Sequence, residues 1–514
     1  YFAVPVYAQT YTSYRNLFTY RAWGEPSEWS MTPVTATDGR KVETRTVYRY
    51  VTGALSKHNY VNGKCSCGDE IVGTKGLRYT LSDDGTYYIL SYVGANVENL
   101  VIPEYYNGKP VLEIGDYACC HKSGPLHNDS KIKSVQIEAN LTKIGDSAFQ
   151  ECIFLETINI PSTVTEIGAG AFSMCESLGS IEIPSGVTQI NRSLFYGCKE
   201  LESISFHNGI TKIDAFAFFG CNSIVEVTLP EGIEFIGDYA FSMMENLKEI
   251  KIAEENKNFV SIGGILYSKD KKTLIQYAPK NEDESYIIPE GVKTIGGYAF
   301  AGNSKIKSIC IPDSVGVIGE YAFYHCSALE NINIPSGVTK ILMRQFEGCT
   351  SLKELSLHNK ITKIDYGAFI RCSSLEKLEI PESVTEIGGY AFSECSSLKE
   401  INLPSGLVEL PYAMFSKCTS LETISIPNGI EKIDFDTFLG CTSLKSVYIP
   451  NSVKEIGHGA FGVCTSLSDI NFGGNKNEWK SVDGIYGALG NKKDNWCYGS
   501  GDFIIHCTDG DLEK

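Results

Sequence analysis

Cysteine recurs at a fixed interval of 23 residues, at Cys152, Cys175, Cys198 and Cys221, and again at Cys326, Cys349, Cys372, Cys395, Cys418, Cys441 and Cys464. Three residues before each stands a phenylalanine, from Phe149, Phe172, Phe195 and Phe218 to Phe323, Phe346, Phe369, Phe392, Phe415, Phe438 and Phe461. Phe241 and Phe300 continue the series with Met244 and Asn303 in the cysteine place, so that place takes a slim residue rather than cysteine alone. A unit of 23 residues is too small to bury its own apolar face. It does so by stacking on its neighbours, which makes the chain a solenoid.

One unit, Ser374 to Cys395, reads SLEKLEIPESVTEIGGYAFSEC. Leu375, Leu378 and Ile380 alternate around Lys377 and Glu379, the period of a short half-buried strand, and Pro381 ends it. Val384 and Ile387 then point inward again, Gly388 turns the chain, and Ala391-Phe392 fall in a short helical turn that closes on Cys395. The residue after the second Ile is Gly145, Gly168, Asn191, Asp214, Gly237, Gly296, Gly319, Asp365, Gly388, Asp434 or Gly457, with Leu342 and Pro411 departing from the rule. Because Pro411 cannot take positive φ, the position reads as a cap or the start of a turn, not as an obligatory left-handed residue. The units ending at Phe346 and Phe415 match each other, as do those ending at Phe369 and Phe438, which sets a super-repeat of 69 residues.

The pattern AFxxCxxLxxIxIPxxVxxIG resembles the leucine-rich repeats of the BspA-like type over roughly Leu77 to Cys464, about thirteen times. The resemblance implies a right-handed leucine-rich-repeat solenoid with a continuous parallel β-sheet on one face and short helical turns on the other. At ~4.8 Å per rung the column would extend roughly 60–70 Å. Residues 77–118 read as an N-terminal hairpin cap and first coil, 119–470 as the repeat array, and 471–514 as a C-terminal cap. Phe241 and Phe300 are 59 residues apart, 36 more than one period. The extra stretch, about 253–287, reads as a β-hairpin (Ile265–Tyr267, a turn at Ser268–Lys272, Leu274–Tyr277) budding from the solenoid, either a structural bulge or a protruding contact element.

Residues 11–76 form a separate small β-rich module or linker, rich in Tyr and Arg. Trp23 and Trp29 facing Arg45 and Arg49 would interleave as cation–π layers. This resembles the thrombospondin type 1 repeat, whose disulfides have no counterpart here. The opening YFAVPVYAQT fits a signal-peptide remnant over residues 1–10, which points to secretion.

The balance of 45 Lys+Arg against 62 Asp+Glu gives −17, which disfavours nucleic acid as a partner. No stretch of 18 apolar residues offers a transmembrane segment. Hydrolase, zinc-protease and P-loop motifs are lacking, and none of the eight His completes a catalytic constellation, so no enzyme, metal or cofactor is expected. Cys65-Ser66-Cys67 with His58 is a weak metal signal that a tight turn or lone disulfide also explains; Cys497 with Cys507 reads as a cap disulfide, and Cys119 and Cys120 as equally able to stay unpaired. The ladder cysteines are expected as buried thiols, whereas Cys310, between Ile309 and Ile311, falls at an outward position as the accessible thiol.

Outward strand positions make a small, polar, mildly acidic face, with Glu354, Ser356, Lys377, Glu379, Glu400, Asn402 and the aromatic Tyr448 as candidate binding residues. The family resemblance implies a secreted or surface-displayed bacterial protein that binds a host or bacterial surface or matrix protein, as in adhesion. The alternatives are glycan binding by Trp23, Trp29, Arg45 and Arg49 on a repeat stalk, or the recognition part of a larger surface enzyme.

Overall fold

Each repeat has two runs short enough, and β-branched enough, to extend without forming a long strand. In the coil ending at Cys395 these are Lys377–Glu379 and Glu386–Ile387. Both pair in parallel with the equivalent runs of adjacent coils, Leu378 opposite Leu355 and Ile387 opposite Ile364. The computed structural model describes residues 74, 76–120, 130–278, 283–484 and 496–513, with the backbone of six short strands between Ala3 and Cys65. Residues 1–71 and 72–514 are two units. In the first, Ala3–Ala8 pairs with Thr46–Tyr50, Leu17–Arg21 with Ser30–Val34, and Tyr60–Val61 with Lys64–Cys65, all antiparallel.

The second unit is a parallel β-solenoid of about 16 turns with almost no helix among the described residues. It has more turns than the thirteen legible repeats because the ends and the insert also pair in register. Tyr88–Tyr92 is parallel to Lys109–Ile114 and antiparallel to the edge strand Arg78–Leu81; Ile504–Cys507 is parallel to Asp469–Phe472 and antiparallel to Gly510–Glu513.

The expected helical turns are absent from the far side of the coils. Instead, in all thirteen Phe-containing coils the residues two before and two after the Phe have positive φ, as at Gly367 and Arg371 around Phe369. The two left-handed residues, four apart, aim every second N–H group at the next coil, while those between, of Ala368 and Ile370, bond within the turn to Asp365 and Gly367. Gly367, Phe369 and Arg371 accordingly donate to the carbonyls of Gly389, Ala391 and Ser393 at 2.8–2.9 Å. A helix would direct those groups along its own axis and leave the coils unlinked. At the last coil, Trp496 and Tyr498 of the C-terminal cap supply the acceptors for Phe461 and Val463.

Inside, the Phe rings stack face to face at 5.0–5.9 Å between neighbouring repeats. The ladder thiols are buried, and more than apolar wedges: Cys372, Cys395 and Cys418 each donate S–H to the carbonyl of the Phe 26 residues earlier, at 3.1–3.2 Å. Burial pushes these thiols up, to about 12 at Cys198, Cys326, Cys395 and Cys464. Serine at this place would bury a more polar hydroxyl, and valine would leave the carbonyl only the N–H of the cysteine in its own coil, as Cys372 gives to Phe369. Trp479, on the five-residue helix Lys476–Lys480, packs edge-on against Phe472 and Trp496 to close the C-terminal end. Cys507 is a free thiol, so the expected Cys497–Cys507 disulfide does not form.

The sheets are not continuous. The first-strand sheet ends after the three-residue strand Ser203–Ser205 and after the coils carrying Asn159, Asn333 and Asn402, whose strands are only two residues long. In the three Asn coils, the Asn amide bonds both backbone groups of an isoleucine in the preceding coil, Ile137, Ile311 or Ile380. The second-strand sheet breaks just before the coils of Asn191, Leu342 and Pro411. In regular coils the residue after the second Ile donates its N–H to the previous coil, as Gly388 does to Ile364 at 2.8 Å. Pro411 has no N–H, Leu342 donates instead to Gln345 Oε1, and Asn191 reaches Ile167 only through its side chain.

The insert does not bud away. Phe259–Ile262, Ile265–Ser268 and Thr273–Gln276 form an antiparallel meander, and the last strand joins the solenoid in parallel with Thr294–Ile295. Ile265 and Tyr267 pack in the C-terminal core while Leu266 packs in the N-terminal one. The strand is therefore a wall between two cores, its alternation feeding both.

Gly388 has ordinary φ, yet an added Cβ would collide with the backbone nitrogen of Tyr366 in the coil beneath. Gly388→Ala should lower stability by about 1–3 kcal/mol or more, whereas Gly316→Ala, which meets nothing within 4 Å, should be close to neutral. Thermal melts of the two variants check this, and equal melting temperatures would overturn the close-approach reading.

Candidate functional site

The outward residues of the first-strand sheet lie in register across coils because every coil repeats the same strand phase. Ser356 faces Glu379, Ser425 faces Tyr448, Tyr448 faces Asn471, and Asn471 faces His506. The face is not uniform. Between Ser308 and His358 it carries a shallow depression of about 530 Å³, lined among others by Cys310, Asn331, Asn333, Glu354, Ser356 and His358.

Glu354 and Ser356 are exposed and line this depression, on the strand Glu354–Ser356. Lys377 is spoken for: its Nζ lies 3.0 Å from Glu379 and 3.9 Å from Glu400, which holds its ammonium above the usual lysine range, chiefly through the bond to Glu379. Asn402 is exposed, but both ends of its amide are used on the Ile380 backbone, so it serves the ladder before it can serve a partner. Tyr448 is partly exposed, with no other aromatic side chain among the named candidates on this face. Cys310 is exposed on the strand Ser308–Cys310, beside Ile287, whose side chain is 74% exposed. Trp23, Trp29, Arg45, His58 and Cys67 fall outside the described residues; Arg49 and Cys65 are described only as backbone, in Thr46–Tyr50 and Lys64–Cys65. No group of three His, Cys, Asp or Glu side chains fit for a metal occurs among the described residues.

Sequence reading missed His358 as a wall of the depression. It stands where other coils have the strand-ending Pro, and its Nε2 lies 2.9 Å from the Pro335 carbonyl. It also missed the aromatic residues on the turn side, where Tyr196, Phe216, Phe219, Tyr239, Tyr298 and Tyr321 pack ring against ring. The signal was present: these residues recur at two fixed offsets from the ladder Phe, but read as a helical turn they lacked a common surface.

With this geometry in hand, the model of the BspA type leucine rich repeat region matches residues 122–248, 276–386 and 362–482, in six copies. The chain belongs to the BspA-type leucine-rich-repeat family. The matched ranges begin beyond the N-terminal module, whose thrombospondin-type reading is not confirmed. Among solved structures, a leucine-rich cell surface protein of Faecalibacterium prausnitzii is 27% identical over 81% of this chain and 98% of that one, with a TM-score of 0.45. A leucine-rich repeat protein of Bacteroides ovatus is 27% identical over 77% and 92%, with a TM-score of 0.38. The pneumococcal vaccine antigen PcpA is 21% identical over 84% and 98%, with a TM-score of 0.42. No curated protein matches the chain significantly. Among the described residues no helix is long and apolar enough to cross a membrane.

Two measurements test the site. The ladder thiols are buried and held protonated, while Cys310 is open to solvent. Iodoacetamide on the folded BspA-type chain, read by peptide mass mapping, should modify Cys310 before any ladder cysteine; labelling of Cys372 at the same rate would refute this arrangement. At the C-terminal end, His506 Nε2 lies 3.0 Å from Asp469 and Nδ1 2.9 Å from Asp511, which raises its pKa above the ordinary 6.5, chiefly through the Asp469 bond. A raised folded-state value means the bridge stabilises fully below about 6.5 and loses its contribution as pH rises through the raised value. Amide exchange of Ile504–Cys507, corrected for intrinsic base catalysis, should therefore accelerate on raising the pH in the natural chain and not in His506→Gln.

Proposed function

We propose that this BspA-type protein is a secreted or surface-displayed, non-enzymatic repeat protein that binds another protein through its first-strand face, in adhesion to host or neighbouring cells. The observation that carries this reading is the depression at Ser308–His358, of mixed polar and apolar lining, opening on a face whose side chains stand in register over several coils on either side. Strands held by backbone bonds on either side of the break at the Asn333 coil present their side chains with little further loss of entropy on binding, which favours an extended partner over a small molecule. Family membership supports protein recognition as the general role.

The chemistry favours a basic partner surface. Glu354, Glu379, Glu400 and Asp469 point outward along this face, against Lys377 alone among its candidate residues. In an array of net charge −17, such a row speeds association with a cationic patch and makes it salt-dependent.

The test is capture of purified mucosal and matrix proteins on the immobilised 514-residue chain, beside a chain starting at Leu77 and a Glu354→Lys, Glu379→Lys, Glu400→Lys variant. A partner retained by both natural-sequence chains should associate roughly tenfold more slowly with the charge-reversed one at low salt. Binding that survives charge reversal unchanged would remove the face from the mechanism. Binding lost with the residues before Leu77 would assign it to the N-terminal module.

A further inference from the structure

We infer that the turn side of the solenoid carries a second binding site, a slot beside Tyr196 built to stack one acidic pyranose ring of a glycan. The residue following the ladder Phe forms a row across coils: Gln150, Ser173, Tyr196, Phe219. Tyr196 and Phe219 stack at 5.1 Å with their planes 4° apart, so one face of Tyr196 is covered. The next place in the row holds Ser173, and there the stack stops. What remains is a cavity of about 330 Å³ that Tyr196 borders as a wall, with a floor of Ser147, Gly170, Ser173 and Ser193. That volume is at the lower end for ligand sites, about 300–1,000 Å³, and suits a single ring.

The floor identifies the ring as polar. Ser173 is only 7% exposed, yet its hydroxyl has no hydrogen-bond partner among the described residues. The same serine three and eight coils onward in the row is satisfied: Ser242 donates to Gln276 Oε1 at 3.2 Å and Ser393 to the Ser416 carbonyl at 3.3 Å. A phenyl side chain filling the slot would seal the Ser173 hydroxyl away from water without a partner, which costs free energy. A sugar ring offers an apolar C–H face to the electron-rich face of Tyr196 and hydroxyls to the serines. Arg192 selects the charge. Its guanidinium lies over the Phe216 ring, 5.2 Å from the centroid, on the rim of the same slot, and it makes no ion pair among the described residues. A carboxylate on the sugar would complete it, an interaction a neutral hexose cannot make.

The probes are methyl glucuronide, methyl glucoside as the neutral counterpart, and phenylacetamide as the apolar ring, titrated calorimetrically into the full chain. Ser173→Tyr fills the slot with the residue that this row already carries at Tyr196 and Tyr324, so the fold tolerates it, and a thermal melt verifies that. Expected are saturable methyl glucuronide binding at millimolar concentration, weaker methyl glucoside binding, loss of roughly tenfold or more in Ser173→Tyr, and loss of the acid preference in Arg192→Gln. Absence of saturable binding, glucuronide binding unchanged in a folded Ser173→Tyr, or occupation of the slot by phenylacetamide in preference to the sugar would each overturn the assignment.

Discussion

Everything in the repeat unit depends on one spacing. Parallel strands lie about 4.8 Å apart, so a chain that returns to the same strand phase every 23 residues places each residue over its own equivalent. Phenylalanine then stacks on phenylalanine at 5.0–5.9 Å, and each buried ring contributes about 1.5–3 kcal/mol of transfer free energy. The same spacing explains the residues that accompany it. A slim thiol fits beside the ring and reaches the carbonyl of the coil before, as Cys395 reaches Phe369. Glycine at Gly388 is demanded by the closeness of the coil beneath and not by its own backbone angle.

Three backbone ladders join neighbouring coils: two through the short strands and one through the turn around the ladder Phe, with its two left-handed residues. Stability in such an array is the sum of nearest-neighbour terms, so any coil that drops a ladder is a place where the column could part. The 69-residue super-repeat manages this. The coil of Asn333 and Leu342 belongs by its first strand to the segment before it and by its second strand to the segment after it, and the coil of Asn402 and Pro411 repeats the arrangement. At these two coils the breaks in the two sheets are staggered like courses of brick, whereas between the coils of Asn159 and Asn191 they coincide. The insert follows the same logic in another form, since the alternation of Ile265, Leu266 and Tyr267 stitches two cores that would otherwise meet at a seam.

Much of this was legible in advance because period and burial are encoded residue by residue. The strand at Lys377–Glu379, the buried thiols and the outward Cys310 follow from alternation and spacing alone. The turn side was misread because Ala391-Phe392 has helical composition, while the conformation is decided by where the N–H groups find acceptors, and those acceptors lie in the next coil. Among the candidate contacts, Asn402 looked available in sequence, and its engagement with Ile380 is visible only once two coils are adjacent. Tyr196 and Ser173, unremarkable 23 residues apart in the chain, become wall and floor of one cavity for the same reason.

The sequence by itself determined that this is a stacked array, which residues make its core, and where one coil ends and the next begins, since a strict period leaves each unit no other way to bury its apolar residues. Only the tertiary structure decided which side chains remain free for a partner and where the column has hollows. Those depend on what the neighbouring coil supplies: a carbonyl for a thiol, a backbone for an asparagine, or, over Ser173, nothing.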